Sequence, residues 1–258
     1  QVVPRAGVVY GGPRGFNAKL LYGEAFRSPT PGETEINAPG LITGNPQLDP
    51  ERIRTGELVL SLRGEREEVA LNLFTSQQRN LIAFTPLPSG GLGFQNRDVF
   101  DARGAELEAA LHPSAAWSLL GSVSFQDNEL NDTLSNVGRA PQWMVRVGAS
   151  WSPRPSLTLS LFDNWLGAAP PITRQYPGVA IVNPPNEAYH LVSARVTVGL
   201  GPMLGLPSST QLSARLGVDN LLDEETWYPD ATFGGVNTLP WRPGRVVFAG
   251  LTLNWRGK

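Results

Sequence analysis

The sequence has no cysteine, which removes disulfides, thiolate metal sites and thiol nucleophiles from consideration. No run approaches the roughly 18 consecutive apolar residues that a membrane helix requires, so any membrane contact must be made by strands. Charge is also sparse. Only 17% of the 258 residues are Asp, Glu, Lys or Arg, against about a quarter in an ordinary soluble protein. The formal net charge of -2 offers no electrostatic case for nucleic acid. The chain opens directly into strand-like sequence at Val2, without a basic region followed by an apolar one. The expectation for an exported protein of this kind is that its signal lies upstream.

What is present is alternation. From Trp143 to Trp151 the residues Trp143, Val145, Val147, Ala149 and Trp151 are apolar, while Met144, Arg146, Gly148 and Ser150 are mostly small or polar. A strand points successive side chains to opposite faces, so one face is greasy and the other wet. The same period-two reading gives about eleven strands, near 3–10, 16–27, 52–63, 67–78, 98–111, 116–127, 141–151, 157–167, 188–199, 210–221 and 244–255. Their apolar sets include Leu58, Leu60 and Leu62, then Ala105, Leu107, Ala109 and Leu111, and finally Val247, Ala249, Leu251, Leu253 and Trp255. The alternate positions carry Lys19, Glu57, Glu106, Glu108, Arg146, Arg195, Arg215 and Asp219. A basic side chain facing lipid near the midplane costs roughly 2 to 4 kcal/mol, which is the pressure that sorts charges in this way. Glu24 and Asp163 fall on the apolar parity as exceptions near strand ends.

The connections supply a second regularity. Short links at 11–15, 64–66, 112–115, 152–156 and 201–209 alternate with long ones at 28–51, 79–97, 128–140, 168–187 and 222–243. Outer-membrane barrels alternate short periplasmic turns with longer extracellular loops, so this order assigns each strand a direction. With directions set, Tyr10, Trp117, Trp151 and Trp255 fall at the periplasmic rim, and Phe26, Phe125, Trp143 and Trp165 at the outer rim, as two aromatic belts. Trp143 and Trp151 lie eight residues apart, about 26 Å along a strand and about 20 Å in height once tilted, close to an apolar band. The reading is therefore an all-β, transmembrane antiparallel β-barrel. A soluble all-β sandwich shares the strands and turns but requires neither the paired belts nor the alternation of link lengths.

Specific stretches raise a family resemblance. Leu20 to Thr30 reads Leu-Leu-Tyr-Gly-Glu-Ala-Phe-Arg-Ser-Pro-Thr, Gly44 to Arg52 reads Gly-Asn-Pro-Gln-Leu-Asp-Pro-Glu-Arg, and Thr55 to Leu58 reads Thr-Gly-Glu-Leu. Later come Val-Asp-Asn-Leu-Leu-Asp-Glu at Val218 to Glu224 and Pro-Gly-Arg at Pro243 to Arg245. In this order and spacing they resemble the barrel of TonB-dependent outer-membrane receptors, over essentially the whole chain. The resemblance implies import of a scarce nutrient, such as a ferric siderophore or cobalamin. The partners it implies are outer-membrane lipid, a plug domain, and the TonB complex contacted through an N-terminal segment not in this sequence. It also implies a barrel of 22 strands. An odd count of antiparallel strands cannot close on itself, so the expectation is a fragment or truncated product, the C-terminal half of the barrel. Arg256, Gly257 and Lys258 follow Trp255, a departure from the family's aromatic last residue. A passive pore or structural barrel shares the belts, and an outer-membrane enzyme would need a compact cluster of Ser, His and acids.

No resident cofactor or metal is expected, and catalytic material is thin. His112 and His190 sit at a turn and at a strand start, too far apart for one site. Glu106 and Glu108 share one strand face and read as part of a charge ladder with Arg146. Asp127, Asn128, Glu129, Asn131 and Asp132 form an oxygen-rich loop that departs from EF-hand spacing and reads as a solvated turn. Gly11 to Gly15 is a hairpin rather than a phosphate cradle, because no helix follows it. For ligand capture the candidates are Arg174 and Tyr176 in one long link and Trp227 and Tyr228 in another, which also carries Phe233 and Trp241.

Overall fold

The structure, a computed structural model, describes residues 2–88, 90–131, 134–135, 140–171, 178–207, 209–230 and 235–255. Its strands, in chain order, are β1 (Arg5–Gly11), β2 (Phe16–Arg27), β3 (Asn37–Ala38), β4 (Ile42–Thr43), β5 (Glu51–Arg63), β6 (Glu67–Pro86), β7 (Leu92–Ser114) and β8 (Trp117–Leu130). They continue with β9 (Leu134–Ser135), β10 (Trp143–Arg154), β11 (Leu157–Leu166), β12 (Tyr189–Gly199), β13 (Thr210–Asp219), β14 (Trp227–Pro229), β15 (Thr238–Pro240) and β16 (Val246–Trp255). One short α-helix, α1 (Pro31–Glu35), and one 3₁₀ turn (Pro13–Gly15) lie among the described residues, and no described helix is long and apolar enough to cross a membrane.

The long strands pair in the order β1-β2-β5-β6-β7-β8-β10-β11-β12-β13-β16. Each of the eleven expected strands takes one place in that path, and every neighbour is also the next long strand in sequence. Chain contacts divide into two compact units, one of residues 1–60, 71–105 and 126–138, the other of 61–70, 106–125 and 139–258.

Register explains the alternation in the second unit. Residues paired across an antiparallel ladder share a face. Leu119, Ala149, Leu161, Ala194, Val218 and Val247 form one such cross-strand row, and Trp117, Trp151, Leu159, Val196, Leu216 and Ala249 form another. The other face has the row Ser118, Ser150, Ser160, Arg195, Gly217 and Phe248. Ser150 and Ser160 share a 2.8 Å hydrogen bond there. The two phenylalanines on this polar face fill glycine gaps. Phe162 is paired with Gly148 and Phe248 with Gly217, and a methyl at either glycine would overlap the ring.

One long link is shorter than expected. The connection read at 79–97 is mostly strand, since β6 runs to Pro86 and β7 begins at Leu92. The turn closes through Leu87 N donating to Gly91 O (3.0 Å) and Gly90 N to Leu87 O (3.0 Å). The cause is Asn80, whose φ of 57° inside β6 interrupts the period-two pattern as a bulge does. A register shift between Trp151 and Arg154 likewise carries β10 past the expected end at 151.

Candidate functional site

Two long connections are closed at their bases by the motifs that the sequence singles out. At the first, Thr30 caps α1 with Glu33 in a reciprocal capping box: Glu33 N donates to Thr30 Oγ1 (3.3 Å) and Thr30 N to Glu33 Oε2 (2.7 Å). Arg27, at the end of β2, then spends its fork on two carboxylates. Nη1 and Nη2 reach Glu33 at 3.0 Å each, while Nε (2.6 Å) and Nη2 (2.8 Å) reach Glu51 at the start of β5. Glu51 Oε1 also accepts from Ile82 N at 2.9 Å. Arg27, with Thr30 behind it, holds the Glu33 carboxyl down to about 2. Gly44 supplies the close approach, because a Cβ there would stand 2.7 Å from the Thr34 carbonyl carbon. Asn45 donates to Phe94 O (3.1 Å) and accepts from Gln47 N (2.9 Å), tying the Gly-Asn-Pro stretch to β7.

At the last long connection the knot is different. Asn220, in the left-handed region at φ 52°, clasps Glu224 by donating to its carbonyl and accepting from its N–H, both at 2.9 Å. Asp223 Oδ1 accepts from Arg245 N (2.7 Å), and Arg245 Nε donates to Leu221 O (3.0 Å). Asn-Leu-Leu-Asp and Pro-Gly-Arg are therefore two halves of one contact, as Arg27 and Glu51 are at the first.

The links at 168–187 and 222–243 are joined to each other. Asn237 Oδ1 accepts from Val182 N (3.1 Å) and Asn183 N (3.0 Å), and its Nδ2 donates to Asn183 O (2.7 Å). Asn183 donates in turn to Thr238 O, Thr238 Oγ1 to Pro184 O, and Asn186 to Trp227 O. Trp227 and Tyr228 lie in the β14-β15 hairpin; Tyr228 packs on Trp241 with centroids 5.1 Å apart. Trp227 faces a cavity of about 250 Å3 that Glu187, Tyr189, Glu224 and Glu225 also line. Arg174, Tyr176 and Phe233 lie outside the described residues.

Several expected rim aromatics meet in pairs. Trp117 and Trp151 are cross-strand partners with stacked rings 5.8 Å apart, and Phe125 and Trp143 are partners at 4.7 Å. Tyr10 lies 6.4 Å from Phe16, Trp165 pairs with His190, and Trp255 pairs with Thr210 at the other end of its strand. Phe26 is exposed near the end of β2.

Both exceptions on the apolar parity have partners. Asp163 Oδ2 lies 2.7 Å from His190 Nδ1, and Glu24 accepts from Tyr22 Oη and lies 3.4 Å from Arg54. Pairing lowers the penalty of a charge on that face. The sequence reading missed the Asp163–His190 pair, whose signal is the β11-β12 register. His112 contributes its backbone N–H to Arg66 O at 2.7 Å.

The oxygen-rich stretch expected to be a solvated turn is mostly strand, since β8 runs to Leu130; Asp127 pairs with Arg103 (2.8 Å), and Asn131, just past the strand end, donates to Asp98 (2.9 Å) and accepts from Val99 N (2.8 Å). Asp132 lies outside the described residues. Among the described residues no group of three or more His, Asp or Glu is placed to hold a metal. On the polar face, Glu106, Glu108 and Arg146 line one small cavity, and Arg195 stands 5.7 Å over the Phe248 ring.

The sequence matches the family described as TonB dependent receptor-like, beta-barrel, over residues 1–221. No curated protein matches it. Among solved structures, it is similar to the ferripyoverdine receptor of the outer membrane of Pseudomonas aeruginosa (TM-score 0.71, 15% identity, 98% of this chain and 32% of that one). It is also similar to the ferric-catecholate import receptor Fiu of E. coli K12 (0.69, 15%, 96% and 34%) and to the copper transporter OprC (0.69, 17%, 97% and 39%). The chain thus spans about a third of the length of these proteins.

Proposed function

Since the chain belongs to the TonB-dependent receptor β-barrel family of the outer membrane, we propose that it forms part of the wall and mouth of a receptor importing a scarce nutrient, such as a ferric siderophore. The observation that carries this reading is the mouth itself. A passive pore needs only a closed wall, whereas here the first and last long loops are anchored at their bases by paired motifs, and the last is joined side to side with the link at 168–187. Binding residues are commonly carried on loops that a rigid scaffold positions. In this proposal Trp227 and Tyr228, with Arg174 and Tyr176, contact substrate, and the paired rim aromatics anchor the wall in lipid. A plug domain and the TonB complex, met through parts of the receptor outside this sequence, supply gating and energy. The cycle involves no covalent chemistry.

Deleting the gene is expected to abolish growth on one limiting nutrient, and Trp227→Ala with Tyr228→Ala in the full-length receptor is expected to weaken binding of that nutrient about tenfold while leaving insertion intact. Unchanged growth after deletion would overturn the importer reading; unchanged affinity would remove the two aromatics from the site.

A further inference from the structure

The seam between the links at 168–187 and 222–243 holds the cavity of about 250 Å3 that Trp227 faces. Glu187 lines it from the first link, and Glu224 and Glu225 line it from the second. Unlike Glu33 and Glu51, which share Arg27, these three carboxylates have no ion pair or hydrogen bond among the described residues. A second feature is independent of the acids. Tyr189, only 7% exposed, turns into the same cavity from the start of β12, and its hydroxyl has no hydrogen-bond partner among the described residues. A buried hydroxyl left without a partner is costly, and it marks a place where a ligand completes the bonding. The walls are fixed in advance: Asn186 donates to Trp227 O and Thr238 Oγ1 to Pro184 O.

We propose that this seam binds a linear polyamine, a chain of methylenes carrying spaced ammonium groups. Carboxylates gathered from both links repel one another and call for a cation between them. They do not converge on a point, since among the described residues no group of three acids is placed to hold a metal ion. The positive charge that answers them is therefore spread along a molecule. Between the acids the lining is apolar, with Pro184 and Pro185 beside the Trp227 ring, a surface that suits methylenes. The indole face attracts an ammonium group, and the Tyr189 oxygen accepts from another N–H. The volume lies just under the range for drug-sized ligands, which fits a slender chain and excludes a bulky chelate. Once bound, the amine bridges acids of the two links and tightens the seam that the asparagines already hold. The inference goes beyond the importer reading and stands whatever nutrient is carried.

The test uses the full-length receptor in detergent at low salt, with radiolabelled spermidine in equilibrium dialysis and amide hydrogen exchange over 182–190 and 222–228. Saturable binding is expected, at least tenfold weaker in the combined E187Q/E224Q/E225Q variant and severalfold weaker in W227L and in Y189F. Exchange in both segments of the parent protein should slow severalfold when spermidine is added. A severalfold excess of magnesium over spermidine should leave most of the binding in place. Circular dichroism and heat-modifiable migration establish that each variant is folded. Absence of saturable binding by the parent protein, or equal binding by the folded triple variant, overturns the proposal. So does complete displacement by magnesium, which would assign the binding to diffuse attraction by an acidic surface. Growth after gene deletion bears on the importer alone: a receptor dispensable for every nutrient tested keeps its amine site if the triple variant loses spermidine, and a required receptor that binds no spermidine keeps import and loses the site.

Discussion

The first and last long loops are both closed at their bases, by opposite chemistry. At the first, Arg27 is shared between two carboxylates, so the closure is an ion triad around a capped helix. At the last, Asn220, Asp223 and Arg245 aim side chains at backbone groups, and charge meets charge nowhere in the knot. Side chain to backbone bonds fix chain direction locally and are indifferent to salt. Both closures span a similar stretch of chain, 24 residues from Arg27 to Glu51 and 24 from Leu221 to Arg245, but the ion triad answers to pH and ionic strength. The two loops can therefore be loosened independently.

Glycine substitutions should break the comparison most sharply. Gly44→Ala sets a Cβ 2.7 Å from the Thr34 backbone, which cannot give way cheaply, so the first loop is expected to lose about 2 to 3 kcal/mol of local stability. Gly244→Ala meets only Asp223 Oδ1, at 2.8 Å, a side-chain atom able to turn aside, and about 1 kcal/mol is expected. Amide hydrogen exchange over 30–50 and 220–245 reads both; equal effects would deny the distinction.

Smaller changes follow from the polar groups. Arg27→Gln is expected to cost the first loop about 1 to 2 kcal/mol, discounted because the guanidinium is partly open to water, and Asn220→Ala to cost the last loop about 1 kcal/mol. Raising salt to about 1 M should shrink the first difference and leave the second.

The smallest effect is that of pH. The Glu33 carboxyl is lowered from 4.5 to about 2, so its stabilisation is fully present above 4.5 and is lost as pH falls through about 2. Exchange in the first loop should rise across that window, while the Asn220–Glu224 clasp, which has no titrating atom in its bonds, stays closed. A first loop that remains protected at pH 2 would contradict the triad.

Strands were legible wherever their two faces differ. Leu157, Leu159 and Leu161 against Thr158 and Ser160 announce β11 without help. Where Asn80 interrupts the alternation, the outer half of the β6-β7 hairpin reads as loop. Phe162 and Phe248 sit on the polar parity, and only the opposing Gly148 and Gly217, each the direct partner on the neighbouring strand, explain them. The motifs were visible as family marks, yet their pairing was not: nothing local to Arg27 names Glu51, and nothing local to Asp223 names Arg245. Those partnerships exist only once the intervening loop has returned. Trp227 and Tyr228 were picked for aromaticity, and the asparagines that position Trp227 and its hairpin, Asn183, Asn186 and Asn237, carried no sequence signal beyond a general preference for loops.

Those asparagines constrain how the molecule can be rebuilt. Because Asn237 binds the backbone at 182 and 183 while Asn183 and Asn186 bind the backbone at 238 and 227, the two links are one part with two attachment points. A chimera that imports only 168–187 or only 222–243 from a relative severs the join on both sides. Grafted together, they travel as a cassette, so the unit of inheritance at this mouth is the loop pair.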